Sequence, residues 1–191
     1  ERLTFHQKGL KITSATITKH DKKGDQTLVV KRINNQDSYD EVRLHTEDMA
    51  YPGDYTVALQ FSGHINKDMH GIYPCFFKHN GEAKKLIATQ FESHHAREAL
   101  PCIDEPEAKA TFDLTLVTPS GETVLANTPV KKSDAKNNRQ ITSFETTPKM
   151  SVYLLAFVFG EMGYKSAKTK SGIEIRSFAT PDNVGLVQMS V

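Results

Sequence analysis

The prevailing period of apolar positions along the chain is two. Tyr55, Val57, Leu59 and Phe61 alternate with Thr56, Ala58 and Gln60, which gives a strand with one apolar face. Phe112, Leu114 and Leu116 repeat the pattern against Thr111, Asp113 and Thr115, and Val42 with Leu44 and Ile173 with Ile175 are shorter examples. Leu10 and Ile12 hold one phase and Ala15 and Ile17 the other, which predicts a bulge or break near Ser14. Val152 to Phe159 shows no alternation and predicts a central strand buried on both faces. Turn signals divide these runs at Gly24-Asp25, Pro52-Gly53-Asp54, Asn80-Gly81, Pro119-Ser120-Gly121 and Ser171-Gly172. Asn80-Gly81 is the sharpest, because both residues tolerate the positive φ of a type I′ hairpin, and it should pair Ile72–Lys78 with Ala83–Phe91. The expected fold is all-β, a twisted sandwich of roughly ten or more strands.

One segment breaks the period. Ala96, Ala99 and Leu100 fall at i, i+3 and i+4, with Ser93 as the expected N-cap and Pro101 as a stop. A short helix inserted between strands is expected to line a site. The strand before it places Ile87, Thr89 and Phe91 on one face and Ala88, Gln90 and Glu92 on the other. Gln90 and Glu92 would stand about 7 Å apart at ~3.3 Å per residue, a carboxylate beside an amide. Such a pair can receive an ammonium group and a neighbouring carbonyl, although a solvated strand face has the same spacing.

Composition narrows the function classes. Against 23 Asp+Glu stand 24 Lys+Arg, a net charge of +1 with no basic block, which argues against a nucleic-acid partner held by phosphates. The longest apolar run, Val152 to Phe159, is far short of the roughly 20 residues of a membrane helix. No basic region followed by an apolar stretch opens the chain at Glu1. Cys75 and Cys102 form no Cys-x-x-Cys pair and are expected as reduced thiols, which favours a cytoplasmic setting. His94 and His95 are adjacent and cannot both face one ion from a regular helix, while His64, His70 and His79 flank the hairpin loops and are expected to be exposed, so no metal site is expected. No His-Glu-x-x-His, Gly-x-Ser-x-Gly or phosphate-binding loop occurs. Asp104-Glu105-Pro106 reads as a turn whose Asp caps local amides.

Several stretches together carry a resemblance. They are Thr89-Gln90-Phe91-Glu92, Ala96-Arg97, Pro101-Cys102, Asp104-Glu105-Pro106 and Lys109-Ala110-Thr111-Phe112, with Gly71-Ile72-Tyr73, Leu125-Ala126-Asn127-Thr128-Pro129 and the run from Lys149 to Phe157. In this order they resemble the N-terminal domain of the zinc aminopeptidases related to aminopeptidase N and leukotriene-A hydrolase, in a form close to the bacterial sequences. The resemblance implies a saddle-shaped β domain, residues 1–180, resting on a thermolysin-like catalytic domain, with 181–191 as the start of the linker and the first strands of the family domain missing.

It implies further that Glu92 binds the free α-ammonium of a peptide substrate and that Gln90 lies against its first residue. Tyr73 and Met69 would neighbour that pocket, and Asp104, Glu105 and Pro106 would hold the Gln-Glu strand. Zinc belongs to the parent enzyme, with its ligands outside this chain, so the chain by itself should be inactive. A non-catalytic scaffold with the same β fold is the alternative. An unrelated carbohydrate-binding or adhesion sandwich is disfavoured, because the chain contains no Trp for an aromatic platform.

Overall fold

The computed structural model describes residues 2–22, 24–65 and 67–188. Glu1 and the last three residues of the expected linker 181–191 lie outside the described residues. The fold is all-β. Arg2–His6 (β1), Val30–Gln36 (β4) and Glu41–Thr46 (β5) form one sheet in the order β1-β5-β4. Lys11–Asp21 (β2), Gly24–Leu28 (β3) and Asp54–Ser62 (β6) form a second in the order β3-β2-β6. Ile17 and Leu28 from the second sheet and Val42 and Leu44 from the first are buried together, with Leu3, Ile33, Val57 and Leu59 packed around them. This is a sandwich core built from the inward faces of two alternating sheets. The expected irregularity near Ser14 is present as a register shift between Ile12 and Ser14 where β2 pairs with β6.

The second half is built around Gly71–His79 (β7) and Glu82–Gln90 (β8), joined at Asn80-Gly81, both with positive φ. His79 pairs with Glu82 and Gly71 with Gln90, so the hairpin closes as the turn signal requires. Thr123–Ala126 (β10) and Phe157–Gly160 (β13) complete this sheet in the order β10-β13-β8-β7. Thr115–Pro119 (β9), Val130–Lys136 (β11) and Arg139–Phe144 (β12) form a three-stranded sheet, and Gly163–Lys168 (β14) and Glu174–Ala179 (β15) a two-stranded one.

Three local expectations are corrected. Val152 to Phe159 is not one strand: Val152–Leu154 forms a 3-10 turn and the strand is confined to Phe157–Gly160. Val152 and Leu155, three apart, are buried while Leu154 is exposed, a spacing that fits a turn of three residues. The Asn127 amide ties the kink, donating to the Leu154 carbonyl and accepting from the Ala156 N–H. The strand after Phe112 begins only at Thr115, because Phe112 exchanges backbone and hydroxyl bonds with Thr147 outside the ladder. The helix at Ser93 is a single 3-10 turn, Ala96–Glu98, with no side-chain cap; Ser93 Oγ bonds instead to His94 Nδ1. Ala96, Ala99 and Leu100 do face a second core, formed with Phe91, Val152 and Leu155, as their spacing predicts.

Candidate functional site around the end of β8

Phe91 organises this end of the molecule. It is 1% exposed and packs with Ala96, Val152 and Leu155, with Ile72, Leu100, Phe112 and Phe157 around them. One step earlier, the Thr89 hydroxyl donates to the Phe157 carbonyl and accepts from the Phe157 N–H, fixing β8 beside β13. With Phe91 inward, Gln90 and Glu92 on either side of it are exposed. The strand itself ends at Gln90, and Glu92 stands in the turn that follows, which corrects the reading of both as residues of one strand. Among the described residues no side chain pairs with the Glu92 carboxylate.

The segment beyond Glu92 is tied down by Arg97 and Asp104. Asp104 is 4% exposed, and its Oδ2 accepts from the Arg97 backbone N–H at 3.2 Å and from Arg97 Nε at 3.0 Å. The Arg97 guanidinium also lies 3.9 Å from Asp40. The Asp104 N–H donates to His6 Nδ1, and His6 and Cys102 exchange both backbone hydrogen bonds. Thus the turn after β8 is bolted to the end of β1. Glu105 is exposed and lies 3.9 Å from His6, and the Pro106 carbonyl accepts from the Ser151 hydroxyl and the Lys109 ammonium. Burial pushes the Cys102 thiol up to about 12, reinforced by the neighbouring Asp104 charge and opposed by Arg97.

Tyr73 pairs with Ala88, so it is the diagonal neighbour of Gln90 across the hairpin and shares its face. Burial raises its phenol pKa, with Cys75 adding to the shift, and it remains a hydroxyl at neutral pH. Met69, at φ 58° and 70% exposed, lines a shallow apolar groove with Tyr73, Pro74, Cys75 and Phe76. Gln90 and Glu92 do not line that groove. Gly71, opposite Gln90, has φ 65°, and a Cβ there would meet Glu98 Oε2 at 3.0 Å. Only glycine meets both demands without strain.

Sequence reasoning missed Arg97, His70, His95 and Glu98. His70 is half-buried rather than exposed, because its ring stacks on His95 and bonds to Glu98. The His-x-x-Glu spacing of His95 and Glu98 in a helical turn was a readable signal for half of this group. The approach of His70 follows only from the hairpin register.

Comparison with known families establishes the class of this all-β chain. A family model described as the peptidase M1 N-terminal domain matches residues 1–154, and the chain belongs to that family. It is 44% identical over 181 residues to an aminopeptidase N of Lactococcus lactis subsp. lactis, covering 93% of this chain and 20% of that protein. Over 130 residues it is 52% identical to an aminopeptidase N of Lactococcus lactis subsp. cremoris (strain MG1363), covering 67% of this chain and 15% of the relative. A puromycin-sensitive aminopeptidase of Caenorhabditis elegans is 47% identical over 126 residues, 64% of this chain and 13% of its own length. The chain thus spans a fifth or less of these relatives. No helix among the described residues is long and apolar enough to cross a membrane.

Proposed function

We propose that this domain anchors the free N-terminus of a peptide substrate within a zinc aminopeptidase, with Glu92 receiving the α-ammonium and Gln90 lying against the first residue. The observation that carries this reading is the pair of exposed side chains flanking the buried Phe91, with the Glu92 carboxylate left to a ligand. A carboxylate at that place measures the substrate from its charged end, which suits removal of one residue at a time. Charge-assisted hydrogen bonds of this kind contribute about 1.5–3 kcal/mol. Tyr73 and Met69 supply an apolar flank for the first side chain. Asp104, Glu105 and Pro106 act as the brace that fixes the turn after β8.

In this reading residues 1–180 are the β domain and 181–191 lead toward a thermolysin-like catalytic domain. That domain would hold the zinc, which when bound would supply polarisation of the scissile carbonyl and activation of water. The residues of this chain bind and orient. The 191-residue chain alone is therefore expected to show no peptidase activity. A cytoplasmic setting goes with the reading, on the free thiols of Cys75 and Cys102.

The test is steady-state kinetics of Glu92→Ala in a full-length enzyme that carries this domain. A fall in kcat/KM of about 10–150-fold on peptides with free N-termini is expected, the equivalent of the hydrogen-bond energy above. Near-native kinetics would remove Glu92 from substrate binding. A longer chain without a zinc-ligand helix would favour the scaffold instead.

A further inference from the structure

We propose that His70, His95 and Glu98 form a binding site for a zinc-type divalent transition-metal ion, separate from the zinc of the reading above and independent of it. One ligand atom from each residue lies within 4.8 Å of the other two. His70 Nδ1 is 2.8 Å from Glu98 Oε2, and His95 Nδ1 is 3.2 Å from Glu98 Oε1. The two imidazoles stack with centroids 4.1 Å apart and planes inclined by 24°. Both rings therefore present the same nitrogen toward one carboxylate. The three side chains are 31%, 21% and 10% exposed, so the group is largely covered yet reachable from solvent.

Two imidazole nitrogens and one carboxylate oxygen are the donor set of a borderline ion such as Zn²⁺ or Co²⁺ rather than Ca²⁺ or Mg²⁺. In a tetrahedral site with metal–ligand bonds of about 2.0–2.2 Å the ligand atoms stand about 3.3 Å apart. The Nδ1 to carboxylate separations are 2.8 Å to Oε2 and 3.2 Å to Oε1, and the three ligand atoms lie within 4.8 Å of one another, so coordination through a single carboxylate oxygen draws them together by at most about 1.5 Å. A ring that carries its proton on Nδ1 donates it to the Glu98 carboxylate. On binding, each ring coordinates through Nδ1 and carries its proton on Nε2, so a neutral pair exchanges tautomer and releases no net proton.

The place is built to hold its shape. His70 immediately precedes β7, while His95 and Glu98 belong to the turn after β8, and the Glu98 side chain lies against Gly71. An ion here would clamp the residue just before the hairpin to the turn that carries Glu92. Lys8 Nζ, 3.5 Å from Glu98 Oε1, is a cation that a metal would compete with, and its side chain is 54% exposed and able to swing away. Asp68 and His64 line the same groove as His70 and Glu98, and the His94 ring stacks on His95 at 4.8 Å. His64 and His94 supply controls, since neither belongs to the three-ligand group.

The experiment titrates the chelator-stripped 191-residue chain with Co²⁺, reading the visible absorption of the ion, and repeats it with Zn²⁺ in competition. Saturable binding of one ion per chain is expected. His95→Ala and Glu98→Gln should each weaken it at least about 10-fold, with far-UV circular dichroism confirming the fold. His64→Ala and His94→Ala should leave it unchanged. In the wild-type chain, Zn²⁺ should shift the ring resonances of His70 and His95 but not of His64, a readout that needs no variant. Absence of saturable Co²⁺ absorption, equal affinity in His95→Ala, or zinc-induced shifts at His64 in place of His70 would overturn the proposal.

Discussion

The hairpins β7–β8 and β14–β15 are both antiparallel pairs read from alternating apolar residues and a glycine turn, yet they serve different ends. In β8, Leu86 and Ile87 are buried and Phe91 just beyond is sealed in the second core. In β14–β15, Tyr164 and Ile175 remain exposed, as does Ile173 before the strand, and the pair forms a sheet of its own. Local pattern is similar; the difference lies in what stands opposite. β8 has β13 as a second neighbour and the 3-10 turn at Val152–Leu154 over Phe91, whereas β14–β15 gains Lys165 bonds to the Gly185 and Val187 carbonyls. A functional side chain needs the rigidity of the first arrangement, because only a buried neighbour fixes the direction of an exposed one.

The comparison can be broken most severely at Phe91. Phe91→Ala should destabilise the chain by about 3–5 kcal/mol in denaturant titration, through lost burial and the cavity left behind. Next is the brace: Asp104→Asn should lower stability by about 2–3 kcal/mol, since it leaves Arg97 without its buried anion. In a full-length enzyme the same variant should move KM little. A large KM effect with unchanged stability would make Asp104 a binding residue. Gly71→Ala should cost about 1–2 kcal/mol, from the positive φ and the contact with Glu98. At the small end, Ile175→Thr in the open hairpin should stay within about 0.5 kcal/mol; a loss as large as that of Gly71→Ala would mean that β14–β15 has a covering partner.

A pH titration sharpens the same contrast. The Cys102 thiol rises from 9.0 to about 12 in the folded chain, so the folded state keeps its proton longer than the unfolded state. Its contribution is intact below the unfolded value and is lost as pH climbs from about 9 toward 12. Cys102→Ala should flatten that alkaline decline, and alkylation of Cys102 at pH 8 should be slow until the chain is unfolded.

Much of this was legible in the residues themselves. Asn80-Gly81 set the hairpin register, the phase change near Ser14 marked the shift between β2 and β6, and the spacing of Ala96, Ala99 and Leu100 showed which side of the turn is buried. The uniform run from Val152 to Phe159 misled, because an apolar stretch without alternation has no phase to reveal a bend, and the bend depends on Asn127 far away in sequence. The Arg97 bonds to Asp104 and Asp40 and the His70–His95 stack were hidden for a related reason. Each joins separate turns that only the folded sheets bring together.

The central claim, that Glu92 pairs with the substrate ammonium, is tested most directly by a thermodynamic cycle in a full-length enzyme. The kcat/KM for a peptide with a free N-terminus is compared with that for its des-amino analogue, in wild type and in Glu92→Gln. The account predicts that the wild type prefers the amine by about 10-fold or more and that this preference largely disappears in the variant, while the analogue is turned over equally by both. An undiminished preference in Glu92→Gln would contradict it and place the ammonium against another group.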